Sequence, residues 1–340
     1  MINIIPTLTV MDTYKEYEVM INNFIASDSN LFRCNATRFD NNTYINSIKI
    51  LQEIYYKKKQ KYFDLLLDIP CPKEKIRVEF KSNENDILIK KGEILNITND
   101  KKEFDSDVVI YVDIGFEQIE VGETIILGDG DLFIKVISKL QHKLICKCLN
   151  TGILGYRKAL YTSRISCKKT SNKTVYNNIK LIKTLRPTHI ALSFVEDVQD
   201  ITNFKNNIKE IRNYNPTIIS KLETKCAIDN LEDLIKASPN VMIARGDLAL
   251  SAGYEMLFKY QNEIIEKCSK INNCDVYFAS EIINSLVNSP VPTRPEICDL
   301  AYMINQGAKN IILSGPLCRY NNYNIAVKYI NNLYDIYHIR

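Results

Sequence analysis

Short apolar runs alternate with stretches of helical period along most of the 340-residue chain. Eight runs read as strands: Asn3–Val10, Ser29–Cys34, Tyr62–Ile69, His189–Val195, Thr217–Leu222, Val241–Ala244, Val276–Ala279 and Asn310–Leu313. Between most of them, apolar residues recur three and four positions apart, the spacing of an amphipathic helix. Asp12–Ala26 carries them at 17, 20, 21, 24 and 25, and Asn42–Lys58 at 45, 48, 50, 51 and 54. Val198–Tyr214, Asn230–Ala237, Tyr254–Ile271 and Pro295–Gln306 also read as helices. Pro295 suits the first turn of the last of these, and Gly307 its stop.

Strands alternating with helices predict a parallel sheet, and eight of them predict the α/β class, a (β/α)8 TIM barrel. One region breaks the rhythm. From Cys71 to Tyr161 the chain reads as short strands: Lys75–Lys81, Asp86–Ile89, Glu93–Thr98, Asp107–Val112, Thr124–Leu127, Leu132–Ser138 and Lys143–Leu149. Gly122, Gly128, Gly130 and Gly152 punctuate them. A structureless loop of that length is rare, so this is an all-β domain inserted after strand 3. The expected organisation is residues 1–70 and 162–340 as the barrel and 71–161 as the insert.

Composition narrows the class. Hydrophobic residues make up 46% and charged residues 25%, as in soluble globular chains. The longest mostly apolar runs are about six residues, as in Ile190–Val195, too short to span a bilayer. The start, Met1–Asp12, lacks the basic and apolar segments of a signal peptide, so a cytoplasmic location is expected. A net charge of +4 is too mild to argue for nucleic acid. The basic run Lys57–Lys61 reads as a solvated helix end. Ten scattered cysteines contain no Cys-x-x-Cys, and the three histidines, 142, 189 and 338, are isolated. The cysteines read as reduced, mostly core thiols, and His189, in an apolar strand pattern, as structural. Chemistry therefore rests on carboxylates, lysine and arginine.

In a barrel of this kind the C-terminal strand ends build the site. Here those ends are polar: Arg33-Cys34-Asn35-Ala36-Thr37-Arg38, Asp68, Ser193, Lys221-Leu222-Glu223, Arg245-Gly246-Asp247, Ser280-Glu281 and Ser314-Gly315. Glu223 and Asp247 end adjacent strands about 5 Å apart, so both carboxylates can reach one cation. Two carboxylates with open positions suit Mg2+ or Mn2+. Lys221 and Glu223, two residues apart, point to the same side. With Arg33 opposite, Lys221 makes an anion site. Gly246 lets a ligand approach the backbone, and the N–H groups of the following helix suit an oxyanion. The residues suggest a metal-dependent enzyme acting on a small phosphorylated or carboxylated substrate. They also read as plain interstrand ion pairs such as Lys221–Asp247.

At these residues the sequence resembles pyruvate kinase. The matching segments are Ile218–Glu223, Val241–Leu248, Ala191–Val195, Pro292-Thr293-Arg294 with Glu296 and Asp299, Ile312–Gly315 and Gly152–Lys158. Lys-x-Glu and Ala-Arg-Gly-Asp are its most specific parts. The resemblance implies phosphoryl transfer from phosphoenolpyruvate to ADP, giving pyruvate and ATP, the last step of glycolysis. It implies an insert that closes over the barrel. Carried over by position, Lys221, Arg33 and Ser280 would be catalytic, Ser280 standing where the family has a threonine near the proton-delivery path. Ala244, Arg245, Gly246 and Ser193 would bind substrate, the first three through backbone. Glu223 and Asp247 would hold Mg2+ or Mn2+, and Asn35, Thr37 and Asp68 resemble K+ ligands. Arg38, Lys158 and Arg77 are the weaker nucleotide candidates.

Several motifs depart from the family. Pro6–Val10 lacks its Gly-Pro turn, and Asn35-Ala36-Thr37-Arg38-Phe39 replaces Asn-x-Ser-His-Gly. Asp68-Ile69-Pro70-Cys71-Pro72-Lys73 replaces Asp-Thr-Lys-Gly-Pro, and Ser314-Gly315-Pro316-Leu317 replaces Ser-Gly-Glu-Thr. The metal, phosphoryl and carboxylate elements are kept while nucleotide contacts are altered. The sequence given reaches only just past the eighth strand and its helix, so no counterpart of the family's C-terminal domain, nor activation through it, is expected. A homodimer through the barrel stays open. The alternative is a pyruvate-kinase-like binding or regulatory protein without turnover. A metal-dependent lyase on the same barrel is a third option, which the insert and Arg-Gly-Asp-Leu argue against.

Overall fold

The computed structural model describes the chain except residues 1, 38–39, 81–85, 104–108, 163, 166, 320–321 and 338–340. The chain divides into two compact units. The first comprises Met1–Pro72, Thr170–Arg245 and Phe258–Arg340, and the second Lys73–Lys169 and Gly246–Leu257.

Eight strands organise the first unit: β1 (Asn3–Pro6), β2 (Leu31–Asn35), β3 (Asp64–Glu79), β4 (His189–Ser193), β5 (Thr217–Leu222), β6 (Asn240–Ala244), β7 (Asp275–Ala279) and β8 (Asn310–Leu313). β3 starts here and runs on into the second unit. Each strand pairs in parallel with the next, from β2 to β8, and β8 pairs in parallel with β1. β1 and β2 meet through a parallel bridge, Thr7 to Arg33, and the Leu8 N–H donates to the Arg33 carbonyl at 2.7 Å. The ends of the strand order are thereby joined.

One apolar cluster takes a side chain from every strand: Ile5, Leu31, Leu66, Ala191, Ile219, Met242, Tyr277 with Ala279, and Ile312. Side chains alternate along a strand, so the residue two positions further on faces the same way. For seven of the eight strands that residue, in the strand or just past its end, is Thr7, Arg33, Asp68, Ser193, Lys221, Ala244 or Ser314. A shared apolar layer followed by a mostly polar one explains why the strand ends are polar in register.

Helices connect the strands. Tyr14–Ala26 opens with a capping box between Thr13 and Glu16. Asn41–Lys59 is capped by Asp40 and ends at Gln60 in the left-handed region. The basic run forms its exposed last turn, and Lys57 pairs there with Glu53 at 2.6 Å. Asn172–Leu185 is an element that the hydrophobic pattern missed, since few of its residues are buried. Three expected helices differ. Val198–Tyr214 stops at Ile208, Asn230–Ala237 resolves into Lys225–Asp229 and Leu231–Ala237, and Tyr254–Ile271 shortens to Leu257–Ser269 after a 3-10 turn. In the second case the Thr224 hydroxyl caps a separate short helix. The strand expected over Asn3–Val10 ends at Pro6, and β3 is continuous over both Tyr62–Ile69 and most of Lys75–Lys81.

The second unit is largely antiparallel. Thr124–Leu127, Leu132–Lys139, Lys143–Cys148 and Ile94–Thr98 pair in sequence, and Ala159–Tyr161 joins Thr124–Leu127 to β3. Its core contains Ile76, Val78, Leu95, Ile97, Ile134 and Leu144. Ala159 and Tyr161 pack with Leu250, from the helix Arg245–Ala252. No helix among the described residues is long and apolar enough to cross a membrane.

Candidate active site

The polar layer of the first unit is a chain of paired charges. Asp68, fully buried on β3, receives Nε and Nη2 of Arg33 on one oxygen, at 3.1 and 2.7 Å. Its other oxygen lies 3.2 Å from Nζ of Lys221. Lys221 also lies 3.0 Å from Oε1 of Glu223 and donates to Oγ of Ser193 at 3.3 Å. Arg33 reaches further, donating through Nη1 to Thr7 at 3.1 Å. Two cations and two carboxylates thus alternate from β2 through β3 to the end of β5.

Local structure fixes each partner. Ser193 donates to the Ile69 carbonyl at 2.9 Å, which ties β4 to β3. Phe194 has φ +51°, and its N–H donates to Oε2 of Glu223 at 2.6 Å. A bulky residue in the left-handed region is held there by its surroundings. Burial alone would raise the Asp68 carboxyl, but Lys221 and Arg33 outweigh it and hold it below the ordinary aspartate value. Breaking one member of such a buried set leaves an uncompensated charge, at a cost of about 3–5 kcal/mol.

Asn35 ends β2 opposite Asp68 in register. Its side-chain oxygen accepts from the Thr37 hydroxyl at 2.8 Å and the Thr37 N–H at 3.3 Å. The three residues expected for K+ are therefore adjacent in the fold. A cleft of about 450 Å³ opens beside them, lined by Thr9, Arg33, Asn35, Tyr44, Ser280 and Ser314 among others. Its volume lies in the range of small-molecule sites. Burial pushes the Cys34 thiol, on its wall, up to about 12, so this sulfur stays protonated and inert at neutral pH. All ten cysteines are free thiols, six of them buried.

Arg245 turns its guanidinium onto backbone. Nε and Nη2 each donate to the Ser280 carbonyl at 3.1 Å, and Nη1 pairs with Asp299 at 2.6 Å.

Within the second unit, Asp247 stands in the first turn of its helix. Oδ1 lies 2.5 Å from Nζ of Lys75 and accepts from the Tyr161 hydroxyl at 2.5 Å. Lys158 pairs with Asp129 at 2.9 Å and Asp131 at 3.4 Å, and Arg77 donates to the Arg157 carbonyl. Arg38 lies outside the described residues. Sequence inspection missed Thr7, Lys75 and Tyr161. Thr7 carried a signal, its place two residues after Ile5, but Lys75 and Tyr161 carried none.

The donors singled out for cations are all oxygen: carboxylates of Glu223, Asp247 and Asp68, the Asn35 carbonyl and the Thr37 hydroxyl. No cluster of three or more His, Cys, Asp or Glu able to hold a metal ion occurs among the described residues. An all-oxygen set fits hard cations such as Mg2+, completed by water and substrate oxygens.

A family model described as "Pyruvate kinase, barrel domain" matches residues 2–325. The chain is similar to a pyruvate kinase of Thermotoga maritima, 31% identical over 307 residues, covering 89% of this chain and 63% of that protein. A pyruvate kinase of Borreliella burgdorferi is 29% identical over 294 residues, 85% of this chain and 59% of that protein. Pyruvate kinase isozyme G, chloroplastic, of Nicotiana tabacum is 26% identical over 288 residues, 84% and 50%. The chain therefore spans between half and two-thirds of the length of these relatives.

Proposed function

We propose, on the premise that this chain belongs to the pyruvate kinase family, that it transfers the phosphoryl group of phosphoenolpyruvate to ADP and protonates the enolate to pyruvate. The observation that carries this is the alternating set Arg33–Asp68–Lys221–Glu223. It is supported by the joined strand order, which we read as a (β/α)8 barrel with residues 1–70 and 162–340 as its domain and 71–161 as the insert.

Phosphoryl transfer asks little covalent chemistry of a protein and much positioning and charge neutralisation. Lys221 and Arg33 supply two positive charges on neighbouring parts of one layer, both nearly withdrawn from water, with side-chain exposures of 10% and 14%. An ammonium so placed attracts phosphoryl oxygens more strongly than in bulk water. Asp68 and Glu223 hold both cations still before substrate arrives. Lys221 then faces the migrating group, Arg33 its far side, and Ser193 helps to hold the Lys221 ammonium by accepting its hydrogen bond. The Ser280 hydroxyl is the candidate for proton delivery to the enolate carbon. The substrate carboxylate is assigned to the backbone at Ala244-Arg245-Gly246, where a helix begins.

Glu223 and Asp247 are the residues proposed to hold Mg2+ or Mn2+, an assignment that rests on their motifs and their hard oxygen chemistry. A divalent ion, when bound, neutralises phosphate charge and orients its oxygens. Asn35, Thr37 and Asp68 are proposed for K+. ADP is assigned to the cleft beside Arg33 and Asn35, whose walls differ from the family's nucleotide motifs. Arg38, Arg77 and Lys158 remain the weaker nucleotide candidates.

The test is pyruvate formation from phosphoenolpyruvate with Mg2+, with and without K+, against ADP and the other nucleoside diphosphates. Turnover dependent on a diphosphate is expected. Protein that binds phosphoenolpyruvate and Mn2+ but turns over with none of them would remove the kinase assignment.

A further inference from the structure

The loop after β7 holds three non-glycine residues in the left-handed region: Ser280, Glu281 and Ile283, with φ of 74°, 54° and 42°. Such conformations persist only where the surroundings over-determine them. A β-branched residue such as Ile283 is the most averse to it. Among the surroundings here are one side chain and one helix.

The side chain is Arg245, 8% exposed. Its Nε and Nη2 converge on the Ser280 carbonyl, both at 3.1 Å, and Nη2 also donates to the Glu281 carbonyl at 3.1 Å. Nη1 points the other way, to Asp299 at 2.6 Å. The helix is Arg294–Asn305, which carries Asp299 and is fixed at its start by a capping box between Thr293 and Glu296. Glu296 also accepts from the backbone N–H and the hydroxyl of Ser285. One helix therefore grips the loop at both ends, through Arg245 at 280–281 and directly at 285. Ser280 lines the 450 Å³ cleft.

We propose that Arg245 is a positioning residue. Its guanidinium, anchored by Asp299, locks the Ser280-Glu281 backbone in the left-handed form and so keeps Ser280 at the wall of the cleft. The planar fork is what the task needs. It spans two carbonyls and a carboxylate at once, which the compact ammonium of lysine cannot do. The catalytic half of this rests on the pyruvate kinase proposal, while the conformational half stands on the geometry alone.

Three variants test it: Arg245→Lys, Ser280→Ala and the double variant. Misplacing a reacting group by about 1 Å can cost on the order of 100-fold in rate. Arg245→Lys is expected to lower kcat by about 10–100-fold on that basis, with KM for phosphoenolpyruvate changed by less than about threefold. The double variant is expected to be no slower than the slower single one, because both act through one hydroxyl. Losses that multiply, or wild-type kcat in Arg245→Lys, overturn the catalytic half. Hydrogen exchange over residues 279–287 decides the conformational half without any turnover. Exchange there should quicken in Arg245→Lys, and less so in Asp299→Asn, which keeps the arginine should the lysine variant not fold. Unchanged exchange in both overturns the proposal. Wild-type protein without turnover would remove the kinase assignment and leave the exchange result to stand by itself.

Discussion

Nζ of Lys221 lies 3.0 Å from Oε1 of Glu223, two positions further along the chain. The same ammonium lies 3.2 Å from Asp68. Both carboxylates are fully buried, so one lysine balances much of their charge while remaining the group proposed to face the phosphoryl oxygens.

Replacing Lys221 by methionine keeps most of the stem and removes the charge. Glu223 then loses this cation and Asp68 keeps Arg33, and the protein should lose about 3–5 kcal/mol of stability. Phosphoryl transfer should fall by at least about 10²–10³ in kcat, the usual cost of one electrostatic contact to a transition state. Denaturant unfolding and a pyruvate assay at saturating Mg2+ measure the two. Wild-type turnover would remove Lys221 from the reaction.

Asp68 sets an acid limit on stability. Its folded value lies below its unfolded one, near 3.9, because Lys221 and Arg33 outweigh the effect of burial. The stability it contributes is complete above that unfolded value and is lost as pH falls through the folded one. Asp68→Asn should therefore be less stable than the wild type by a constant margin from about pH 5 to 8. The margin should shrink below about pH 4. Melting temperatures across that range check this, and a margin undiminished in acid would mean that the carboxylate is not held by its cations.

Asp247 is engaged by Lys75 and Tyr161. If it also ligates a divalent ion, Lys75 competes for the same oxygen. Asp247→Asn should weaken Mn2+ binding, while Lys75→Met should strengthen it, each by about tenfold, within the range seen for partners of metal ligands. Paramagnetic titration of Mn2+ reads both. Two unchanged affinities would take Asp247 out of the metal site.

The helix Arg294–Asn305 depends on its cap. Thr293→Ala should cost about 1 kcal/mol. Urea unfolding should show a lower midpoint with the same slope. No shift in midpoint would mean that Glu296 alone holds the helix start.

Much of the site was legible because alternation is local. Leu31 then Arg33, Leu66 then Asp68, Ala191 then Ser193 and Ile219 then Lys221 each place an apolar residue and a polar one on the same side of a strand. The apolar runs Thr217–Leu222 and Asn310–Leu313 coincide with the observed strands. The helix Asn172–Leu185 was not legible, since only Asn178, Leu181 and Ile182 are buried along it. Its apolar stripe is too thin to stand out from a polar stretch. The left-handed turn at Phe194 was equally hidden, because phenylalanine gives no hint of positive φ.

Residue order decides which side chains share a face, since strand and helix periods act over a few positions. That was enough to single out Arg33, Asp68, Lys221 and Glu223 as inward chemistry. Which charge meets which was settled only by folding. Arg33 and Asp68 are 35 positions apart, and Tyr161 and Asp247 are 86 apart. Their contacts depend on packing that brings side chains far apart in the chain within about 3 Å, the range of a hydrogen bond. Arg245 shows the same division. Its charge was plain from the chain, while its duty of holding the Ser280 carbonyl exists only because the loop after β7 bends back over it.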